Sequence, residues 1–193
     1  MSETRHNDLS LSHFFDYGIH EPTGTLYWGD DNEGIDDTFA ERALKGLHLL
    51  RNRSAVKIML SSFGGSLFAA EAIYDAIAAL PGWVAIQTLG PVMSAAAVIL
   101  QAGDLRSMAP NSLMMIHYGY ESIYQEPSVS AQRWMGRAKL AGDWMAGALH
   151  RRIVQRHPEF KLSKVKRLLE HDTYYSAQEA VDIGLADQVG VVY

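Results

Sequence analysis

The 193 residues, 48% hydrophobic and 20% charged, suffice to close one core, and with no cysteine among them disulfide staples, thiol catalysis and cysteine-bound metals are excluded. The absence of cysteine suits a reducing compartment, so a cytoplasmic protein is expected. With 17 basic against 22 acidic side chains the formal charge is −5, which offers no overall basic surface to nucleic acid, and no apolar run approaches a signal peptide or a membrane span.

No internal repeat and no Gly-, Ser- or Pro-rich linker divides the chain, so residues 1–193 read as one domain, with 1–24 a loosely organised N-terminal segment. Thr25–Gly29 has the character of a short strand, and the acidic stretch Asp30–Asp37 supplies caps for a helix from Asp37 to Leu50. Ala55–Leu60 reads as a buried strand. The tight turn Ser61–Ser66, with Gly64-Gly65 inside it, precedes a helix through Glu71 to Leu80 that Pro81-Gly82 ends. Trp83–Leu89 is the next strand, after which Gly90-Pro91 is expected to turn the chain into an apolar helix from about Ser94 to Gly103. Arg106–Met108 and Leu113–His117 read as strands around the turn at 109–112, with 118–124 continuing extended. A long helix over Ser128–Arg156 carries a broad apolar stripe that includes Trp134, Met135, Trp144 and Met145, wide enough to meet a partner subunit as well as the core. Helices over Ser163–Glu170 and Ser176–Ile183 and a closing strand over Ala186–Val191 complete an α/β alternation.

A serine hydroxyl needs a histidine to take its proton, a carboxylate to orient that histidine, and backbone amides to stabilise the oxyanion. Ser94 stands where a strand meets a helix, a place where unpaired N–H groups collect, although a serine there is also an ordinary helix cap. His117 ends the apolar run Leu113–Ile116, where a histidine is as readily a core residue. For the carboxylate, Asp104, Asp143, Asp172, Asp182 and Asp187 all stand downstream, and periodicity does not choose among them. Histidines recur at seven-residue intervals, His6, His13 and His20, then His150 and His157, but no metal-ligand motif accompanies them, so no metal and no cofactor are expected. The basic run from Arg151 to Arg167 is read as a solvated helix face.

The order of these pieces, from about residue 25 to 192, resembles the proteolytic subunit of the Clp protease family. Ser61-Ser-Phe-Gly-Gly-Ser66 is similar to that family's Asn-Ser-Pro-Gly-Gly-Ser, Gly90-Pro-Val-Met-Ser94-Ala-Ala to its nucleophile turn, and Pro110–His117 to its Pro-Asn-Ser followed by Met-Ile-His. Asp172 through Ala180 and Gly184–Asp187 resemble its Asp-x-x-x-Ala-x-Glu-Ala and Gly-Leu-x-Asp. The resemblance implies a ClpP/crotonase-like fold of repeated β-β-α units with a protruding handle helix. It also implies a catalytic triad of Ser94, His117 and Asp172, an oxyanion hole from the backbone N–H groups of Gly65 and Ala95, and substrate contacts at Gly64, Ser66 and Tyr118. The implied activity is serine endopeptidase cleavage of peptides or unfolded polypeptides through an acyl-enzyme, inside a chamber of two stacked heptameric rings, with an AAA+ unfoldase supplying any ATP use. A ring subunit without activity and an acyl-CoA hydratase or isomerase of crotonase type are the alternatives. Phe63, Met93, Ala95-Ala96 and Tyr118-Gly119 depart from the family pattern, the last in place of Gln-Pro. Lys57 and Met59 stand where relatives carry aromatic residues that receive the unfoldase, which implies weakened docking because an ammonium there resists desolvation.

Overall fold

The computed structural model describes residues 12–29, 34–119 and 128–191. Among these, six strands lie side by side in the order β1 (Ile19–His20), β2 (Thr25–Gly29), β3 (Ala55–Ser62), β4 (Trp83–Met93), β5 (Leu105–Met108) and β8 (Gln188–Val189), while β6 (Leu113–Ile116) and β7 (Thr173–Ser176) branch from β4. The β1–β2 and β6–β7 pairs are antiparallel and the other pairs are parallel. Parallel neighbours need crossovers. These are α1 (Asp37–Leu50), α2 (Leu67–Ala78) and α3 (Ala95–Leu100); α4 (Ser128–Arg156), α5 (Leu162–Leu168) and α6 (Ala177–Ile183) follow. The α/β class expected from the alternation is present.

Local chemistry explains the boundaries. Asp36 caps α1 by accepting from Phe39 N at 2.7 Å, and the helix then buries Phe39, Ala40, Ala43, Leu47 and Leu50, a 3–4 residue spacing that gives it one apolar face. Ser176 and Glu179 form a capping box at the start of α6, and Gly184, in the left-handed region, ends it. At the centre, Val56, Ile58 and Leu60 of β3 and Val84 and Ile86 of β4 face a core into which every residue of α3 is packed. Ile58, Ile86, Ile99 and Leu100 are each fully buried, worth roughly 1.5–3 kcal/mol apiece in transfer free energy.

β4 departs from expectation. Gly90-Pro91 does not end the strand, which continues to Met93, and α3 is six residues long instead of running from Ser94 to Gly103. Gly90, at φ +93°, swivels the strand so that Ala85–Thr88 pair with β5 and Pro91–Met93 pair with β6. The missing N–H of Pro91 falls where pairing with β3 jumps from Leu60–Thr88 to Ser62–Val92, so no ladder bond is forfeited. Two carbonyls beyond the end of α3, those of Gln101 and Gly103, accept from Arg152 of α4 at 2.8 Å each. Tyr118 and Gly119 do not extend β6, because Gly119 turns at φ +80°; residues 120–124 of the expected extension lie outside the described residues.

The stripe on α4 divides. Ala141, Met145, Ala148 and Leu149 enter the core, and Trp144 turns inward onto Tyr74 with ring centroids 5.4 Å apart. Trp134, Met135 and Leu140 are exposed. The basic run from Arg151 onward is only in part a solvated face: Arg152 binds the two carbonyls above, Lys166 pairs with Asp143, and Lys164 lies 4.5 Å over the Phe160 ring. No helix among the described residues is long and apolar enough to cross a membrane, and no cluster of potential ligands that could hold a metal ion occurs among them.

Candidate active site

The branch of the sheet carries the site. β4 ends at Met93, and Ser94 follows at φ 52°, ψ −121°, the conformation of the first central residue of a type II′ turn. It is the only non-glycine residue at positive φ among the described residues. A side chain held there stores roughly 1–3 kcal/mol of backbone strain, and the turn is fastened by Ser94 N donating to Met115 O at 2.8 Å. The Ser94 hydroxyl is thereby presented at the tip of a sharp strand-to-helix bend, the disposition of a nucleophile elbow.

Register places the histidine. Met93 pairs with Met115, so His117 stands just past the end of β6, beside Ser94. Its Nε2 lies 3.0 Å from Ser94 Oγ and its Nδ1 lies 2.9 Å from Asp172 Oδ1. A carboxylate accepts only, so Nδ1 carries the proton toward Asp172 and Nε2 is left to accept from the serine hydroxyl. Asp172 is delivered by β7, whose antiparallel pairing sets Thr173 opposite Ile116. The other four aspartates are engaged elsewhere: Asp104 accepts from Val84 N at 2.8 Å, Asp182 from Gln178 at 2.9 Å, Asp143 from Lys166 and Lys139 at 2.5 and 3.1 Å, and Asp187 binds Arg106.

The Gly64-Gly65 turn packs against this bend. A Cβ on Gly64 would come within 2.7 Å of both Met93 O and Ser94 Cβ and 3.1 Å of Ala95 N, so no larger residue fits between the two turns. Gly65, at φ +150°, leaves no room either: an added Cβ would be 2.3 Å from Ile35 O. Gly64 N donates to Ser62 Oγ and its carbonyl accepts from Ile35 N, so both of its backbone groups are used in holding the turn. The bonds of Ile35 go to Gly64 O and from Ser66 N, which turns the Gly65 N–H away from Ile35, and Ala95 is the first residue of α3, whose N–H has no acceptor within the helix. Ser66 caps α2, accepting from Ala69 N at 3.3 Å.

Gly65, Ser66, Ser94, His117 and Tyr118 line one cleft of about 950 Å³, together with Phe63, Phe68, Met115, Trp134 and Met145; Gly64 does not line it. The far wall is charged, formed by Lys139, Asp143, Lys166 and Glu170. Bonds from Lys166 and Lys139 hold the Asp143 carboxyl below the usual carboxylate range, and the same bond holds the Lys166 ammonium above its ordinary value. Burial pushes the Tyr118 phenol up. Asp143 stands among the five candidate carboxylates of the sequence, but Lys139, Lys166 and Glu170 were not legible as part of the site, because α4, α5 and the turn after α5 bring them from elsewhere in the chain.

The profile of the Clp protease family matches residues 31–192. Similar proteins include the ATP-dependent Clp protease proteolytic subunit 1 of Bifidobacterium longum, 28% identical over 165 residues that make up 80% of this chain and 66% of that protein. The ATP-dependent Clp protease proteolytic subunit of Deinococcus radiodurans is 30% identical over 139 residues, 69% of this chain and 64% of that one. That of Chlorella vulgaris is 30% identical over 166 residues, 81% and 78% respectively. The chain thus spans slightly less than two thirds of the length of the first two relatives. The matched span runs from the N-terminal side of α1 through β8 and includes Ser94, His117 and Asp172, and with that extent of agreement the chain belongs to the Clp protease family.

Proposed function

We propose that the chain is the peptidase subunit of a serine endopeptidase acting on peptides and unfolded polypeptides. The observation that carries this reading is the unbroken line of hydrogen bonds from Ser94 Oγ through His117 to Asp172, at 3.0 and 2.9 Å, with the serine on a strained bend. His117 Nε2 takes the hydroxyl proton as Ser94 Oγ bonds to the scissile carbonyl carbon. The oxyanion is received by the N–H groups of Gly65 and Ala95. The C–N bond then breaks, the amine leaves with the proton from His117, and water repeats the cycle in reverse on the acyl-enzyme. Asp172 holds the imidazole in the tautomer this needs.

Family membership supports a peptidase role and assembly with further copies. The reading extends this to heptameric rings stacked through α4 as a tetradecamer, to an AAA+ unfoldase as the source of any ATP dependence, and to a cytoplasmic setting. Among the described residues of α4, the exposed Met135 and Leu140 are apolar side chains that such a junction would cover. A fluorophosphonate probe with mass readout tests the centre of the proposal. Wild type should be labelled and should cleave a short fluorogenic peptide; Ser94→Ala and His117→Ala should do neither, and Asp172→Asn should keep a small residue of activity, since its geometry survives while the tautomer is wrong. Undiminished cleavage by Ser94→Ala would sink the mechanism.

A further inference from the structure

His117 is held from both sides. On one side Ile116 is paired with Thr173, the residue after Asp172. On the other, Tyr118 N donates to Leu169 O at 2.8 Å, three residues before Asp172. The histidine and its carboxylate are therefore spanned by two backbone ties, and the second depends on where Tyr118 lies. The segment that supplies Asp172 is itself tied down: Leu169 is buried, and Thr173 Oγ1 donates to Leu168 O at 2.6 Å.

What fixes Tyr118 is a glycine in the middle of α4. A Cβ added to Gly142 would meet Cδ1 and Cε1 of the Tyr118 ring at 3.2 and 3.3 Å, closer than such contacts ordinarily run. The ring therefore sits directly on the bare helix backbone. Gly142 is buried, and mid-helix glycine is unfavourable relative to alanine, so a specific close approach accounts for its presence. By contrast, a Cβ on Gly136, six residues earlier in the same helix, meets nothing within 4 Å. After Tyr118 the chain turns away at Gly119, φ +80°, so ring and amide together are the last attachment of the β6 end to the body of the protein within this described stretch.

On the peptidase reading above, we infer that Tyr118, seated on Gly142, is a positioning residue that sets His117 over Ser94. The aromatic body does this; the hydroxyl is not required. Neither residue touches the reacting atoms, and both act through the imidazole.

Gly142→Ala isolates the effect, because alanine favours the helix and forces only the ring to give by a few tenths of an ångström. The expected result is a roughly 10-fold fall in kcat on a short peptide with KM nearly unchanged, the kind of loss that small misplacement of a catalytic group produces. The rate of fluorophosphonate labelling at Ser94 should fall in parallel. Tyr118→Ala should lose roughly as much kcat as Gly142→Ala, Tyr118→Phe, which keeps the ring, should lose much less than Tyr118→Ala, and the double variant of Gly142→Ala with Tyr118→Ala should lose no more than Tyr118→Ala alone. Should Tyr118→Ala fail to fold, Tyr118→Leu with and without Gly142→Ala gives the same comparison. Gly136→Ala, with the same gain in helix propensity, should leave kcat unchanged.

Wild-type kcat in Gly142→Ala, or losses that add in the double variant, would overturn the inference while leaving the peptidase reading intact. A rise confined to KM would make Tyr118 a wall of the cleft only and would overturn it too. A wild-type protein that the probe does not label would instead remove the peptidase reading, and the inference with it.

Discussion

Replacing Ser94 by glycine should make the protein more stable than replacing it by alanine, although both remove the hydroxyl and its bond to His117. The two variants differ in whether a Cβ must be held at φ 52°, ψ −121°, a region that glycine enters freely and other residues do not. Strain of about 2 kcal/mol is relieved only in Ser94→Gly. Against it, the freer unfolded chain of glycine returns about 0.5–1 kcal/mol, and loss of one half-buried carbon about 0.4 kcal/mol. The net is about 1 kcal/mol in favour of glycine. Urea denaturation at one fixed subunit concentration, since assembly adds to apparent stability, should therefore show a higher midpoint for Ser94→Gly with an unchanged slope. An alanine variant equal to or more stable than the glycine variant would mean that the bend at Ser94 carries no strain, and the account of how the serine is presented would fall.

Other perturbations follow from the same structure. Arg106 is buried and donates to Gln101 Oε1, Gly184 O and the Asp187 carboxylate, so Arg106→Met, which strands these acceptors, should cost about 3–5 kcal/mol by urea denaturation. Burial alone would raise the Asp187 carboxyl, but hydrogen bonds and charge from Arg106 outweigh it and hold it below the usual carboxylate range. Its contribution is therefore present above the unfolded value and lost as pH falls through the folded one, so wild type should lose stability below about pH 4 and Arg106→Met should show less of that loss; an identical acid limb in both would count against the pair. Leu140→Glu, at a side chain 63% exposed, should leave the subunit folded while lowering the mass of the assembly seen by native mass spectrometry, and an unchanged mass would exclude that stretch of α4 from the junction. Trp144→Glu should destabilise the subunit itself, because that ring packs on Tyr74. Lys57 lies on the sheet face away from the core, opposite Thr25 and Ala85, and Lys57→Tyr should raise stimulation of the peptidase by an unfoldase of the family; stimulation already strong in wild type and unmoved by the change would refute the docking argument.

The elements with strong local signals were legible. α1 and α4 run over the residues that capping and periodicity indicate, and β2 over its short alternating stretch. β7 was not, because its side chains alternate between exposed and half-buried and leave no apolar pattern, so only its partner β6 makes it a strand. Gly90-Pro91 read as a break because both residues ordinarily punctuate; the sheet's bifurcation gives them a place inside a strand, which no local window reveals. Ser94 and His117 could be singled out by their place beside apolar runs. The choice of Asp172 among five aspartates came from resemblance alone, since what brings it to His117 is the antiparallel register of two strands about 60 residues apart. Gly142 was invisible for a similar reason, as its neighbour Tyr118 is supplied by a different part of the chain.

The fork in β4 also sets the order in which the molecule can become competent. Pairing of β6 with the second half of β4 brings His117 beside Ser94, and a chain made as far as His117 already contains the strands that pairing needs. The carboxylate and the Leu169 carbonyl that fastens Tyr118 arrive more than 50 residues later, on the segment leading into β7. A polypeptide stalled or clipped before that segment would hold a serine and an unoriented imidazole, with the wrong tautomer freely accessible. On the proposed reading, hydrolytic capacity would then be withheld through most of synthesis by the position of one short strand.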